Sequence, residues 1–243
     1  MTDAAPGRGK RYPLAVEIGA AAAVLAYGYI IVRLVPPAAY VPVNLAAAGL
    51  AVALVRRSGT GWEDLGLARE TLGRGLRLGL LTVVPIAAVV ATGVVLPLSR
   101  ELFVEARFSD LGAAQTLYEL LIRIPLGTAL AEELIFRGAL VGLYLRRRTF
   151  LKAALLSSLA FGLWHVVTAM GSVQSNAAGE ILASPAAQAA GVVATVLATS
   201  AAGMVFCWLR RRSGSVLAPA ITHASLNGLA VVGGLVVARW LGG

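Results

Sequence analysis

Residues 76–98 read LRLGLLTVVPIAAVVATGVVLPL, a continuous apolar run whose one charged side chain is Arg77. A helix of about 20 apolar residues is long enough to cross the hydrocarbon core of a bilayer. The run is too long for an ordinary strand and shows no polar stripe that would face water on one side. It therefore predicts a membrane-spanning helix.

The composition of the whole chain agrees with a membrane protein. Of its 243 residues, 58% are hydrophobic and 14% are charged, and the mean hydropathy is +0.80. A soluble domain carries roughly 25% charged residues, so this chain has too little charge to cover a surface in water. The net charge of +9 comes from short basic clusters without interleaved aromatic residues, which argues against nucleic acid as a partner and in favour of membrane lipids.

Six further apolar runs have a similar length. Together the runs give seven predicted spans, at about 14–35, 38–55, 76–98, 114–145, 151–170, 187–209 and 215–239. The predicted fold class is all-α, a polytopic membrane helix bundle of about seven transmembrane helices. Residues 61–77 mix leucine with Glu, Asp and Arg and predict a short interfacial helix, with a solvated connector anchored at the headgroups by Trp62 as the alternative. We divide the chain into 1–110, with the N-terminal tail, three spans and the interfacial helix, and 111–243, the core.

The basic residues predict how the helices are oriented. Basic clusters precede the first span and follow the second, fourth and sixth: Arg8, Lys10 and Arg11; Arg56 and Arg57; Arg146–Arg148; Arg210–Arg212. Positively charged residues collect on the cytoplasmic side of membrane proteins, and threading seven spans from a cytoplasmic N-terminus puts all four clusters there. We expect an integral, multi-pass protein with that orientation, and the alanine- and arginine-rich composition points to a bacterial cell membrane.

Polar side chains occur inside three of the predicted spans. They are Glu132, Glu133 and Arg137 in the fourth, His165 in the fifth, and His223 and Asn227 in the seventh; the two histidines are the only ones in the chain. A charge inside the bilayer costs several kcal/mol unless it has a partner or a function. Counted from the nearest basic cluster at about 1.5 Å per residue, the carboxylate, imidazoles and amide come to depths of roughly 16–22 Å. We therefore expect three helices to bring them to one site.

Helical spacing divides these residues into support and chemistry. Glu133 and Arg137 are four residues apart, so they lie on one helical face and can pair. Glu132 is rotated by about 100° and is left without that partner. Phe161 and His165 are also four residues apart, so the phenyl ring should pack over the imidazole. Glu133, Arg137 and Phe161 are the predicted structural supports.

Two chemistries fit the remaining side chains. Glu132, His165 and His223 make a ligand set typical of catalytic zinc, with a fourth position left for water. Without a metal, Glu132 would be a general base that activates water with help from His165, while His223 and Asn227 stabilise an oxyanion. Both schemes hydrolyse an acyl bond within the membrane and have Glu132, His165, His223 and Asn227 as catalytic residues. The cofactor is left open, as one divalent metal such as zinc or none.

The motifs Glu-Glu-x-x-x-Arg (132–137), Phe-x-x-x-His (161–165) and His-x-x-x-Asn (223–227) lie in this order on successive membrane helices. This arrangement resembles the CAAX protease and bacteriocin-processing family, whose members are intramembrane glutamate-dependent endopeptidases and are often called metalloproteases. Residues 62–67 (WEDLGL) are similar to a further, weaker signature of these proteins. The resemblance runs from about 114 to 239. It implies hydrolysis of a peptide or membrane-protein substrate, which is prenylated for some members.

Two other functions would use the same features. A non-catalytic membrane binding or immunity protein would hold a partner's transmembrane helix in the same cavity. A small transporter would use the buried glutamate and histidines as a proton relay, but no inverted repeat supports this. The complete set of Glu132, His165, His223 and Asn227 favours catalysis, because a binding protein has no need to keep all four.

Overall fold

The computed structural model describes residues 12–100, 103, 112–175 and 184–241. Arg8, Lys10 and Arg11 of the predicted cytoplasmic tail lie outside these residues. The helices are α1 (Leu14–Arg33), α2 (Tyr40–Arg57), α3 (Arg69–Val95), α4 (113–144), α5 (Phe150–Trp164), α6 (Val166–Ser175), α7 (Pro185–Ser213) and α8 (Leu217–Val236). Short helical turns occur at Pro37–Ala39, Pro97–Arg100 and Val237–Leu241. The described part of the chain contains no strand, and the predicted all-α bundle is confirmed.

Six stretches of the described chain are long and apolar enough to cross a membrane. They are Leu14–Arg33, Pro37–Arg57, Arg69–Val95, Phe150–Met170, Pro185–Ser213 and Leu217–Arg239, and each corresponds to a predicted span. Large apolar side chains cover their outer surfaces; Leu81, Val84 and Val89 of α3, for example, are 66–74% exposed. Such a surface is stable in lipid and not in water. The chain is an integral, multi-pass membrane protein.

The remaining predicted span is α4, which differs from the other six because it carries several charges. It passes from an α segment (Ala113–Tyr118) through π turns (Glu119–Leu130), a short α segment (Ala131–Glu133) and further π turns (Leu134–Leu140) to a last α segment (Val141–Tyr144). Residues 131–144 are buried almost throughout, and α2, α5, α7 and α8 pack around the helix. The charges of α4 therefore face protein and not lipid, as buried charges in a membrane protein must.

Contacts between turns that are remote in sequence hold one end of the bundle together. Glu17, at the start of α1, is buried and pairs with Arg148 of the α4–α5 turn, with 2.6 Å between Oε2 and Nη2. Arg146 of the same turn donates to the carbonyl of Ser58, which follows α2. The start of α1 and the ends of α2 and α4 therefore lie together, as a threading of seven spans predicts.

Residues 61–77 do not form the separate interfacial helix that the sequence predicted. Residues 61–67 make a turn in which Leu65 is fully buried and Gly66 adopts a φ of +69°, while the remainder belongs to the start of α3. Two contacts with the α7–α8 region explain the turn. The guanidinium of Arg210 donates to the carbonyl of Asp64, and the Gly66 carbonyl accepts a hydrogen bond of 2.9 Å from the backbone N–H of Val216. Leu65 is therefore packed inside the bundle and does not face the lipid headgroups.

Candidate active site

The buried carboxylate of Glu133 is shared by two side chains. Its Oε1 accepts hydrogen bonds from Nη1 of Arg137 at 2.9 Å and from Nδ1 of His223 at 3.1 Å. Glu133 and Arg137 are 0% exposed, and His223 is 5% exposed. The attraction within a buried ion pair offsets the free-energy cost of removing the two charges from water only when both groups are well hydrogen-bonded. The predicted Glu133–Arg137 pair is thus present, and the structure adds His223 as a third member.

Aromatic rings enclose the guanidinium of Arg137. Its Cζ lies 4.2 Å from the ring centroid of Phe161, 5.0 Å from that of Phe206 and 5.8 Å from that of Phe136. Its Nε and Nη2 have no hydrogen-bond partner among the described residues. Cation–π attraction to these rings therefore offsets part of the free-energy cost of burying the guanidinium, in addition to the ion pair with Glu133.

His165 lies where α5 ends and α6 begins. Its Nδ1 is 2.7 Å from the carbonyl oxygen of Phe161, while its backbone N–H bonds the carbonyl of Gly162 at 3.0 Å. In a regular α-helix the backbone N–H of His165 would bond the carbonyl of Phe161. The imidazole of His165 takes that acceptor instead, which accounts for the break between α5 and α6. The ring centroids of Phe161 and His165 are 4.6 Å apart, so the predicted packing of the two side chains is present.

Phe161 connects the two histidines. Its ring centroid is 5.8 Å from that of His223, and the His223 ring also stacks on Phe206 at 5.1 Å. In both imidazoles Nδ1 faces an oxygen that accepts hydrogen bonds, the Phe161 carbonyl for His165 and the Glu133 carboxylate for His223. A neutral imidazole has one N–H, so in each ring the proton is on Nδ1 and the lone pair is on Nε2.

Glu132 is buried next to this cluster without an ion pair. It is 5% exposed, and its Oε2 has no hydrogen-bond partner among the described residues. Oε2 of Glu133 is also unpartnered, but that carboxylate is balanced through Oε1. Burying a carboxylate without donors is costly. The two adjacent glutamates therefore differ as the helical spacing predicted: Glu133 is paired with Arg137, and Glu132 has no ion pair among the described residues.

A second group of polar side chains, which the sequence analysis did not single out, lies on α1 and α2. The hydroxyl of Tyr27 donates to Oδ1 of Asn44 at 2.8 Å, and the hydroxyls of Tyr40 and Thr128 are 3.3 Å apart. Asn44 is only 2% exposed. A buried amide in an otherwise apolar span was the signal that could have identified this group.

The described residues contain no group of three or more His, Cys, Asp and Glu side chains that could hold a metal ion. Glu132, His165 and His223, the predicted zinc ligands, are among the residues described. Each imidazole keeps Nε2 free behind an anchored Nδ1, as metal-binding histidines do, but Glu132 does not join them as a third ligand. Because the donor set does not fit a zinc site, the mechanism below contains no metal. Asn227 is half-buried, one turn after His223 on α8.

The fold and this cluster define a polytopic helical membrane protein with a buried carboxylate and histidine site. Residues 114–229 match the model of a family described as Rce1-like, type II CAAX prenyl endopeptidase. The match covers just under half of the chain and includes all three motifs. The match over this segment confirms the resemblance to the CAAX protease family, which is a family of proteases. Comparisons with curated proteins and with solved structures found no match.

Proposed function

We propose that this protein is an intramembrane endopeptidase in which Glu132 activates the attacking water. The observation that carries the proposal is the contrast between two adjacent buried glutamates. Glu133 is neutralised by Arg137, whereas Glu132 is 5% exposed and keeps Oε2 without a partner. A general base needs a carboxylate that is not already engaged in an ion pair. The match to a family of endopeptidases supports the same class of reaction.

The proposed reaction is the hydrolysis of a peptide bond. Glu132 takes a proton from water while the water oxygen attacks the carbonyl carbon of the scissile bond. The C–N bond then breaks, and Glu132 returns the proton to the leaving nitrogen. His165, whose Nδ1 is fixed on the Phe161 carbonyl, assists by accepting a hydrogen bond from the water through Nε2.

His223 and Asn227 are proposed to stabilise the oxyanion. Because Nδ1–H of His223 bonds Glu133, the neutral ring has only a lone pair on Nε2. His223 can therefore donate to an oxyanion only as the imidazolium, with its second proton on Nε2. The amide of Asn227 can donate in either case. Glu133 and Arg137 hold His223 and do not touch the substrate, so we assign them as positioning residues.

We propose membrane-associated peptides or membrane proteins as substrates. The site lies inside a helix bundle whose outer surfaces are apolar, so substrates that reside in the membrane are the ones that meet this protein. A prenylated C-terminal peptide is one candidate, because the family is described by that activity. An unmodified membrane-spanning peptide is the other.

The purified full-length chain in liposomes tests the proposal. The panel contains a farnesylated CAAX peptide, the same peptide without farnesyl, and single-span model peptides, and mass spectrometry identifies the fragments. In water enriched in ¹⁸O, each new carboxyl group should carry one ¹⁸O atom from the attacking water. Cleavage of the farnesylated peptide alone would indicate prenyl recognition. If no member of the panel gives a new fragment, the result contradicts the endopeptidase proposal and favours a binding function.

A further inference from the structure

The first two helices, which precede the family segment 114–229, bring connected polar side chains to the turn that carries Glu132. Helix α2 packs against Ala131–Glu133, and α1 packs against α2. The Tyr27 hydroxyl on α1 donates to Oδ1 of Asn44 on α2 at 2.8 Å. Asn44 is 2% exposed, and an amide buried to this degree is held in place by its hydrogen bonds.

The bond from Tyr27 fixes the orientation of the Asn44 amide. A phenol hydroxyl that donates needs an acceptor, and Oδ1 is the only acceptor on the side chain, so Nδ2 points away from Tyr27. Tyr40 lies four residues before Asn44 on α2, so the two side chains share one helical face, and the Tyr40 hydroxyl is 3.3 Å from Oγ1 of Thr128. Thr128 precedes Glu132 by four residues on α4. A chain of uncharged polar groups thus runs from α1 through α2 to a position one turn from Glu132.

Helix packing connects this chain to the carboxylate itself. Tyr40 and Asn44 lie on α2, which packs against the turn that carries Glu132, and Tyr40 contacts Thr128 one turn earlier on α4. The carboxylate is buried, and its Oε2 has no hydrogen-bond partner among the described residues. Two cations lie nearby, and each is already paired: Arg137 with Glu133, and Arg123, whose Cζ is 4.5 Å from the Tyr40 ring centroid, with Glu119. The uncharged groups on α1 and α2 are therefore the ones suited to orient Glu132.

We propose that Tyr27, Asn44 and Tyr40 form a positioning network for Glu132, so that α1 and α2 complete the active site. Hydroxyl and amide groups can direct a carboxylate without cancelling its charge, whereas an ion pair would reduce its ability to take a proton. The three residues act through Glu132 and do not touch the substrate. The catalytic consequence of the network rests on the proposed function, but its coupling to Glu132 does not.

A double-mutant cycle tests the coupling without any assay of activity. The thermal unfolding midpoint of the purified full-length protein in detergent is compared for wild type, Tyr40→Phe, Glu132→Gln and the double variant. We expect Tyr40→Phe to lower the midpoint more in the wild-type background than with Glu132→Gln, because a hydroxyl interacts more strongly with a carboxylate than with an amide. Tyr27→Phe should behave in the same way. Equal shifts in the two backgrounds would overturn the proposal.

Tyr29→Phe is the matched control. Tyr29 lies two residues from Tyr27 on α1 and is 54% exposed, so its hydroxyl faces away from the network. Its removal should shift the midpoint equally in both backgrounds. If the midpoint shift of Tyr29→Phe differed between the two backgrounds as much as that of Tyr40→Phe, the result would count against a specific network.

The kinetic readout separates positioning from substrate binding. On a substrate that the wild type cleaves, Tyr27→Phe and Tyr40→Phe should each lower kcat by about 2- to 12-fold with KM little changed, the factor that one net hydrogen bond gives. Tyr29→Phe should leave both constants unchanged. An increase in KM alone would overturn the positioning role. If the wild type cleaves nothing, the proposed function fails, and the double-mutant cycle still decides whether the network exists.

Discussion

At the scale of single residues, the site depends on two glutamates that are adjacent in the chain and differ in their surroundings. Glu133 shares one oxygen between Arg137 and His223, whereas Glu132 is buried without an ion pair. The first arrangement stabilises the bundle and fixes an imidazole. The second leaves a buried carboxylate whose Oε2 has no hydrogen-bond partner among the described residues.

Removal of the Glu133 carboxylate should mainly affect stability. Glu133→Ala leaves the buried Arg137 charged and without its carboxylate, which should lower the free energy of unfolding by about 3–5 kcal/mol. Thermal melts in detergent measure the change. Glu132→Gln is the control, because it keeps the volume of a buried side chain that has no ion pair among the described residues, so the midpoint should change little. An unchanged midpoint for Glu133→Ala would contradict the structural role of the pair.

Metal content distinguishes the two chemistries that the sequence left open. Because Glu132, His165 and His223 are not grouped as a metal site, we expect purified protein to hold no stoichiometric zinc and a chelator to leave its activity intact. Elemental analysis of protein purified without a metal-affinity step measures this. About one zinc per chain, lost on His165→Ala, would instead establish the three residues as ligands.

The division between Glu132 and Glu133 could be predicted from the sequence because it is a local property of a helix. Glu133 and Arg137 are four residues apart and lie on one helical face, so they can pair. Glu132 points about 100° away around the helix and cannot join that pair. The bond from His223 to Glu133 could not be predicted, because it joins residues 90 positions apart. The contact of Phe206 with Arg137 is likewise a property of packing and not of spacing.

At the scale of elements, α5 and α7 approach closely because a glycine lies between them. A Cβ atom on Gly162 would be 2.6 Å from the carbonyl oxygen of Val196 and closer still to the Ser200 hydroxyl. On α7, a Cβ on Gly203 would be 3.0 Å from Nη2 of Arg137. Small residues of this kind allow helix backbones to approach in membranes. The close approach is what brings Phe206 of α7 to the guanidinium.

Filling this contact should separate the two helices. Gly162→Ala forces the new methyl group against a backbone carbonyl, which cannot rotate away, so we expect it to lower the free energy of unfolding by about 1–3 kcal/mol. Gly49→Ala on α2 is the control, because nothing lies within 4 Å of its added Cβ and a helical alanine is favoured over glycine by roughly 0.5–1 kcal/mol. Equal melting midpoints for the two variants would contradict the close α5–α7 packing.

The positions of the helices could be predicted more fully than the contacts between them. Gly138 and Gly142 have the spacing of a close helix–helix contact, but a turn lies against them. A Cβ on Gly142 would be 3.1 Å from the carbonyl oxygen of Asp64, and one on Gly138 would be 3.6 Å from that of Leu65. The glycine spacing indicates that a backbone comes close and does not specify which one. For the same reason the leucines of residues 61–77 suggested an interfacial helix where the structure has a buried turn.

At the scale of the whole molecule, one end of the bundle gathers the start of α1, the end of α2 and the α4–α5 and α7–α8 turns. The pairs Glu17–Arg148 and Asp64–Arg210 belong to this end. The basic clusters Arg146–Arg148 and Arg210–Arg212 therefore lie on the same side of the membrane, which the positive-inside rule assigns to the cytoplasm.

Accessibility of single cysteines tests this orientation. In a Cys207→Ala background, which removes the buried native cysteine, the exposed positions Thr149, Arg212 and Ser184 are replaced one at a time by cysteine. An impermeant maleimide should label Thr149→Cys and Arg212→Cys only in inside-out vesicles, and Ser184→Cys only in right-side-out vesicles. Labelling of all three from one side would contradict the threading of seven spans.

Six of the seven spans could be predicted in their order because a bilayer demands long apolar helices that satisfy their own backbone hydrogen bonds. The same hydropathy marks α1 and α2 as spans but does not indicate which face of each meets α4. The hydrogen bond between Tyr27 and Asn44 could therefore not be predicted, although both residues lie in correctly predicted helices. Only the packing of the bundle identifies that face.

The initial rate of peptide cleavage by Glu132→Gln tests the central claim most directly. Glu17→Gln is the matched control, because Glu17 is a buried glutamate that pairs with Arg148 at 2.6 Å, at the end of the bundle and away from the site. We predict that Glu132→Gln loses roughly 10²–10⁴-fold in rate, the contribution of a general base, with an unfolding midpoint close to that of the wild type. Glu17→Gln should keep a rate near that of the wild type. A Glu132→Gln protein that cleaves as fast as the wild type would contradict the assignment of Glu132 as the base.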